Sequence, residues 1–535
     1  MRVASNTIHN TAQGDGVQDS LNSDSNLSGD RNVIKGPETD HFRTDHLLNN
    51  IGHRAISGGF ITFGAQGAKL ILNFAAAAIL ARLLGPRDFG LVGMVLGVTA
   101  VVGVFKELGL STATVQRDTI TQQQVSNLFW INVAFSGLLG LICAGLAPLT
   151  AWFYHDHRVM GIMLALSITF LLTGSTVQHQ ALLSRQMRFQ ALAVIDVISI
   201  TIGYFSACIL AWVGAGYWAL VIQQVAIAGC ALPMTWVISR WRPHLPSRNS
   251  GVRPLISFGA HLSVADFVAR FSESSDSILL GRFYGAEPLG LYSRAQVLLG
   301  RPIQQVLTPI NSVLIPVLSR LQSDPERYRR NYMQAYGGLA LIVFSFSGLC
   351  VALASPIVLV VLGPKWAGVI PLVIGFALVA VSGPLSLICA WIYESQGRGS
   401  DQLRNHTIAG VITIASYIIG LHWGPVGIIM SLAIISLCIR QPIIYHIAGR
   451  SGPIRTRDLW AGFLSHVPCW GAVFLPAWLS YKAMRHTSPL IQLIVCVPVG
   501  LVVGVFLMLL IPSPRRSAFF IASRIFGALK AKAIA

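Results

Sequence analysis

The stretch Ile79-Leu-Ala-Arg82-Leu-Leu-Gly85-Pro-Arg-Asp-Phe-Gly90-Leu-Val92 returns 200 positions later as Leu279-Leu-Gly-Arg282-Phe-Tyr-Gly285-Ala-Glu-Pro-Leu-Gly290-Leu-Tyr292, with the arginine, both glycines and the following leucine in register. Each copy joins the end of one long apolar run to the start of the next, so it reads as a glycine-punctuated turn between helices. Further echoes extend the correspondence. Pro148 and Pro356 sit near the ends of third helices, Gln186-Met-Arg188 matches Gln396-Gly-Arg398, and Gly214 matches Gly424. The offsets drift from 200 to 208 and 210, as insertions confined to loops would produce. Two related six-helix halves are the usual frame of an alternating-access transporter.

Composition agrees with a chain that lives in lipid. Of its 535 residues 53% are hydrophobic and 11% charged, and the mean hydropathy is +0.62. The expected fold class is all-α, a polytopic integral membrane protein with about fourteen transmembrane helices. The first half holds spans near 56–81, 89–112, 127–153, 159–183, 191–213 and 216–239; the second holds 255–283, 289–318, 336–362, 369–393, 406–423 and 425–447. Two more follow near 461–481 and 489–511. The expected domains are a polar cytoplasmic tail (1–50), bundles at 51–248 and 249–450, and a closing segment (451–535) of two helices and a basic end. The tail is rich in Ser, Asn, Asp and Gly and lacks the apolar surface to offset ordering entropy. No cleaved signal peptide is expected at its start.

The net charge of +18 is distributed by loop and does not suggest nucleic acid. Placing the N-terminus inside puts roughly twenty-three Lys and Arg on the cytoplasmic side and about seven outside, among them Arg82, Arg87, Arg158, Arg282, Lys365, Lys482 and Arg485. Both termini are therefore expected in the cytoplasm. Apart from the tail, no connection is long enough for a catalytic domain, and no phosphate-binding Gly-x-x-x-x-Gly-Lys-Ser/Thr loop occurs, so neither an enzyme nor an ATP-driven pump is expected and no cofactor is called for. The eight cysteines fall inside expected spans and read as small buried hydrophobes. His155-Asp156-His157 lacks the third and fourth ligands of a metal site.

Ionisable groups inside hydrocarbon are functional candidates by default. Thr62, Gln66, Lys69 and Asn73 fall within about 60° on a helical wheel, with Lys69 near mid-span; hydrogen-bonding between helices is the plain structural alternative. On the corresponding helix of the second half, Asp266, Arg270, Glu273 and Asp276 lie within about 120° of one another, a spacing that also allows a local ion-pair network. Lys69 and Arg270 stand 201 apart, Arg82 and Arg282 stand 200 apart, and Arg294 and Arg301 share one face of the next helix. The substrate-binding set is thus Gln66, Lys69, Asn73, Arg82, Arg270, Arg282, Arg294 and Arg301, expected to line a positive cleft between the halves. Asp266, Glu273 and Asp276 form the expected ion-coupling set. Asp196 and Glu394 are intramembrane carboxylates with no partner apparent from the sequence.

With these residues in view, the opening motif, Leu108-Gly-Leu-Ser-Thr-Ala-Thr-Val-Gln-Arg117, Asn127-Leu-Phe-Trp-Ile-Asn132, Tyr217-Trp-Ala-Leu-Val221, Ser239-Arg-Trp-Arg-Pro243, Pro316-Val-Leu-Ser-Arg-Leu321 and Leu362-Gly-Pro-Lys-Trp366 together resemble the polysaccharide transporter family over residues 55–450. The resemblance is to flippases of the colanic-acid-exporter type, within the superfamily of multidrug extruders and lipid II flippases. It implies export of undecaprenyl-diphosphate-linked oligosaccharide from the inner to the outer leaflet of a bacterial inner membrane, for exopolysaccharide or lipopolysaccharide synthesis. The implied partners are that lipid-linked substrate, membrane lipids, a polysaccharide polymerase and a chain-length regulator. The rival reading is an ion-coupled multidrug antiporter, which a lumen bearing Lys69, Arg270, Arg294 and Arg301 would disfavour by repelling cations.

Overall fold

A computed structural model describes residues 51–106, 111, 114–115, 120–247, 253–511 and 514–515, without the side chains of some residues near 51–65 and 251–312. The tail 1–50 and the basic end 516–535 lie outside the described residues. Within them the chain is all-helical, as it must be where no water is available to satisfy backbone amides and carbonyls. The helices are α1 (Ile51–Leu83), α2 (Pro86–Gly103), α3 (Gln122–Tyr154), α4 (Arg158–Gly174), α5 (Val177–Arg185), α6 (Phe189–Trp212), α7 (Trp218–Ser239), α8 (Arg253–Tyr284), α9 (Ala286–Arg320), α10 (Pro325–Ala352), α11 (Ala354–Val361), α12 (Ile370–Ser395), α13 (Gly399–Gly420), α14 (Gly424–Ile435), α15 (Gln441–Gly449), α16 (Thr456–Ala483) and α17 (Pro489–Leu509). Among the described residues, eleven helical runs are long and apolar enough to cross a membrane.

Local chemistry explains the breaks. Pro356 lacks the N–H that would bond the carbonyl of Ala352, and the helix divides into α10 and α11 at Leu353. Pro442 does the same to Cys438, and the preceding turn, Ser436–Arg440, widens into π geometry. Pro148, by contrast, is accommodated inside the continuous α3. Cys143, Cys350, Cys389, Cys469 and Cys496 are buried as expected, but Cys438 on the π turn is exposed.

The two Gln-x-Arg motifs do one job twice. Met187 and Gly397 both take left-handed backbone angles, φ 54° and 66°, and the arginine that follows each reaches the end of a later helix. Arg188 donates to the carbonyl of Ile238; Arg398 donates to those of Ile447, Ala448 and Ser451. A guanidinium at a helix C-terminus satisfies carbonyls that have no partner within the helix and meets the negative end of the dipole. Arg398 also grips Asp401 at 2.7 Å, and Arg450 closes on the other carboxylate oxygen.

The cores divide unevenly. One large cluster unites residues of both halves, from Leu80–Val95 and Tyr154–Phe170 to Leu280–Leu299 and Trp366–Ala377. Toward the opposite end the described residues fall into separate clusters, one around Leu128, Phe129, Leu182 and Trp241 and the other around Tyr328, Tyr332, Tyr336 and Trp391. Phe105 against Phe267, centroids 5.3 Å apart, bridges them partway. The last two helices complete the second half: α16 lies on α10, where a side chain on Gly348 would strike the carbonyl of Trp470, and α17 lies on α16.

Arg398→Ala removes one of the two guanidinium partners of Asp401 and the donor to several carbonyls, at a cost of about 1.5–3 kcal/mol. We expect a clear fall in the unfolding midpoint of purified protein, and a much smaller one for Arg188→Ala, whose single carbonyl contact is exposed.

Candidate functional site

The repeated motif meets itself in space. α2 and α9 cross where Gly90 faces the backbone of Ala286 and Gly290 faces that of Pro86. A Cβ placed on Gly90 would sit 1.6 Å from the carbonyl oxygen of Ala286, and one on Gly290 would sit 1.8 Å from that of Pro86. No other residue permits that approach, so these glycines are explained by backbone contact between the halves and not by the turn alone. Around the crossing, Trp366 donates its indole N–H to the carbonyl of Ala81 at 2.7 Å and packs edge-on to Phe89. Lys365 donates to the carbonyl of Arg82, and Arg82 donates to that of Val360. Arg282 lies over Phe153 and Phe283. Arg82 and Arg282 thus brace this end by contacts to backbone and rings.

Below the crossing lies a small cleft lined by Asn73, Phe74 and Ala77 of α1, Arg294, Val297 and Leu298 of α9, and Val361 and Leu362. Arg294 projects into it with its guanidinium 4.2 Å from the centre of the Phe89 ring, a distance at which the ring's quadrupole attracts the cation. The polar stripe of α1 turns toward α6. Lys69 forms an ion pair with Asp196, and Asn73 accepts a hydrogen bond from Tyr204 while donating to the carbonyl of Lys69. Asp196 therefore has the partner that one sequence could not name, since a 127-residue separation hides the contact. Lys69 is mostly covered, at 16% exposure, whereas Asp196 is 48% exposed. Gln66 is half-buried one turn from Lys69.

On α8 the charges resolve into two environments. Arg270 pairs with Glu273 at 2.9 Å, and both side chains are largely exposed. Asp276 is buried and accepts from the Tyr292 hydroxyl at 3.0 Å, from the Ser277 hydroxyl at 3.0 Å and from the Ser277 amide. The side chains of Thr62, Asp266 and Arg301 lie outside the described residues. Lys69 and Arg270 are thus each matched to a carboxylate in their own half. Of the cations expected to line a positive cleft, Lys69 and Arg270 are thus ion-paired and Arg294 lies on an aromatic face. Glu394 is accounted for by Gln402, which donates to it at 3.2 Å. Asp156 binds Arg158 at the start of α4, and that guanidinium holds its carboxyl below the usual range, so the carboxylate of the His-Asp-His loop is already engaged. No group of three metal-ligating side chains occurs among the described residues. The sequence did not assign a role to Tyr204, Phe89 or Trp366; Phe89 and Trp366 stand in the quoted motifs, whereas nothing marked Tyr204.

The profile of a family described as polysaccharide biosynthesis protein matches residues 79–371. The chain is 28% identical over 336 residues to teichuronic acid biosynthesis protein TuaB of Bacillus subtilis, covering 62% of this chain and 70% of that one. It is 28% identical over 302 residues to succinoglycan biosynthesis transport protein ExoT of Rhizobium meliloti, covering 55% and 60%. The fold is similar to that of lipid II flippase MurJ in an inward closed conformation, with a TM-score of 0.68 at 14% identity, over 88% of this chain and 100% of that one.

A side chain at the crossing should force the halves apart at that end. With Ala77→Cys as a reporter in the cleft, Gly290→Val should raise the labelling rate by a membrane-impermeant thiol reagent several-fold. Labelling no faster than in the unsubstituted background would show that this contact does not seal the cleft.

Proposed function

The chain belongs to the polysaccharide biosynthesis protein family, and on that premise we propose that it is a flippase that carries a diphosphate-linked oligosaccharide on a polyprenyl lipid from the inner to the outer leaflet of a bacterial inner membrane. The observation that carries this reading is the uneven division of the core. The halves are joined at the Gly90–Gly290 crossing, and among the described residues their cores form separate clusters toward the other end, which supports a carrier closed on one side and parted on the other. With both termini cytoplasmic, the crossing is the outer seal and the parted end faces the cytoplasm, where the substrate is made. The eleven apolar runs become fourteen spans when α8 and α9 are added and the 51-residue run Gly399–Gly449 is divided at its bend. The bundles are then 51–248 and 249–450, with 451–535 attached to the second.

The chemistry suits a lipid diphosphate. A sugar and two phosphates cannot cross hydrocarbon unaided, and guanidinium and ammonium groups donate well to phosphate oxygens. In this proposal Lys69, Arg270, Arg294 and Arg301 receive the headgroup, with Gln66 and Asn73 alongside, while the lipid tail stays in the bilayer. The pairing of Lys69 with Asp196 and Arg270 with Glu273 adds a step: an incoming diphosphate exchanges with a resident carboxylate. In the empty carrier Lys69 and Arg270 are each held by a carboxylate. Outward movement of the anion gains about 2.3 kcal/mol per charge per 100 mV of inside-negative potential. Asp266, Glu273 and Asp276 are the groups proposed to couple transport to an ion.

Loss of one charge-assisted hydrogen bond costs about 1.5–3 kcal/mol, so Lys69→Ala or Arg294→Ala should lower export by roughly ten- to a hundred-fold while protein remains in the membrane. Polymer yield beside membrane protein level, in cells lacking the native copy, is the measurement; full yield from both variants removes the binding assignment. For orientation, a cysteine at position 157 should react with an impermeant reagent in intact cells and one at position 323 should not. Labelling at 323 from outside would invert the proposed topology.

A further inference from the structure

Between α7 and α8 the chain passes from the first half to the second, and residues 241–247 of that passage are fastened along the start of α3. Gln122 donates to the carbonyl of Arg242 at 2.9 Å, Trp130 to that of His244 at 2.8 Å, and Gln123 to that of Leu245 at 3.2 Å. Asn127 both donates to the carbonyl and accepts from the amide of Ser247, as a paired backbone would. The His244 amide donates to Ser126, and the Trp241 indole donates to Gln122. Trp241 is buried among Phe129, His179 and Trp236. Pro243 and Pro246 have no amide to satisfy and set an extended path. Two motifs remote in the sequence, Asn127-Leu-Phe-Trp and Trp241-Arg-Pro, are thus the two sides of one fastening.

We propose that Gln122, Ser126, Asn127 and Trp130 are positioning residues that act through this strap by limiting how far the two halves can part at this end. The reasoning is one of reach. With the strap fastened, six residue steps join Ser247 to Arg253, and a chain of that length spans at most about 20 Å in any conformation. With it undone, fourteen steps join Ser239 to Arg253, and the limit rises to about 50 Å. A carrier that opens and closes around one substrate needs the shorter limit, because excess separation removes the second half's groups from a headgroup bound to the first. This inference rests on the flippase reading only for its transport consequence.

The test uses the full-length protein in lipid nanodiscs and in inside-out vesicles, in a cysteine-depleted background. Spin labels at Gln190→Cys and Ser323→Cys report the separation of the halves. Adding Gln122→Ala and Asn127→Ala should extend the distance distribution to longer values, and the same pair without labels should lower flipping of a fluorescent lipid-diphosphate saccharide several-fold. In that weakened background, Ser126→Cys and His244→Cys joined by a short reducible thiol cross-linker should restore transport, and reductant should reverse the rescue, which a mere folding defect would not allow. Distances unchanged by the two substitutions, or transport that stays low after cross-linking, would overturn the proposal. Lengthened distances in a protein whose unsubstituted form flips no such lipid would instead overturn the flippase reading and leave the strap standing.

Discussion

The crossing of α2 on α9 is the constraint on which the rest of the molecule depends. Two helix backbones touch there because Gly90 and Gly290 carry no side chain, and the contact is reciprocal: each glycine meets the residue that opens the other's helix. A close crossing excludes space for a lumen at that end, so the helices can diverge only toward the other. The shared core follows from it, as does the placing of Trp366, whose indole caps the last turn of α1 across the boundary between the halves.

Charge is managed by the same economy of contacts. An ammonium or guanidinium in a water-poor interior is costly unless it is matched, and three of the described cations have a match: Lys69 with Asp196, Arg270 with Glu273, Arg294 over Phe89. These matches differ in strength. Lys69 is mostly covered while its partner Asp196 is half exposed, the Arg270 pair lies open to solvent where an ion pair is worth little, and the Phe89 ring attracts Arg294 through its quadrupole. In the proposed cycle this grading would set the order in which the groups release their present partners to a phosphate.

The strap and the Gln-x-Arg clamps serve the opposite need, holding backbone that leaves a helix. At both places polar side chains take up carbonyls that regular structure leaves open, and in both the arginine or amide belongs to a segment distant in sequence. Such contacts do not specify the fold, which burial supplies. They decide how much of the chain between packed units is free to move.

The positions of the helices were legible from the sequence, because the bilayer demands long apolar runs and the turn motifs mark where they stop. The two exceptions, α8 and α9, are diluted by polar residues and prolines and fall below the hydropathy of the other runs, yet the correspondence of Arg282 with Arg82 and Gly290 with Gly90 marks the turn between them. Half of each site was legible as well: a lysine or arginine inside an apolar run is conspicuous wherever it falls. What no reading of one chain could supply was the other half of each pair. Asp196 lies 127 residues from Lys69 and Ser247 lies 120 from Asn127, and those separations become contacts only when helices pack. The sequence by itself determined which segments are helical and which residues carry charge, through local physics of hydration and backbone geometry. Only the tertiary structure decided which charges meet, because that depends on which helix faces are brought together by the glycine crossing.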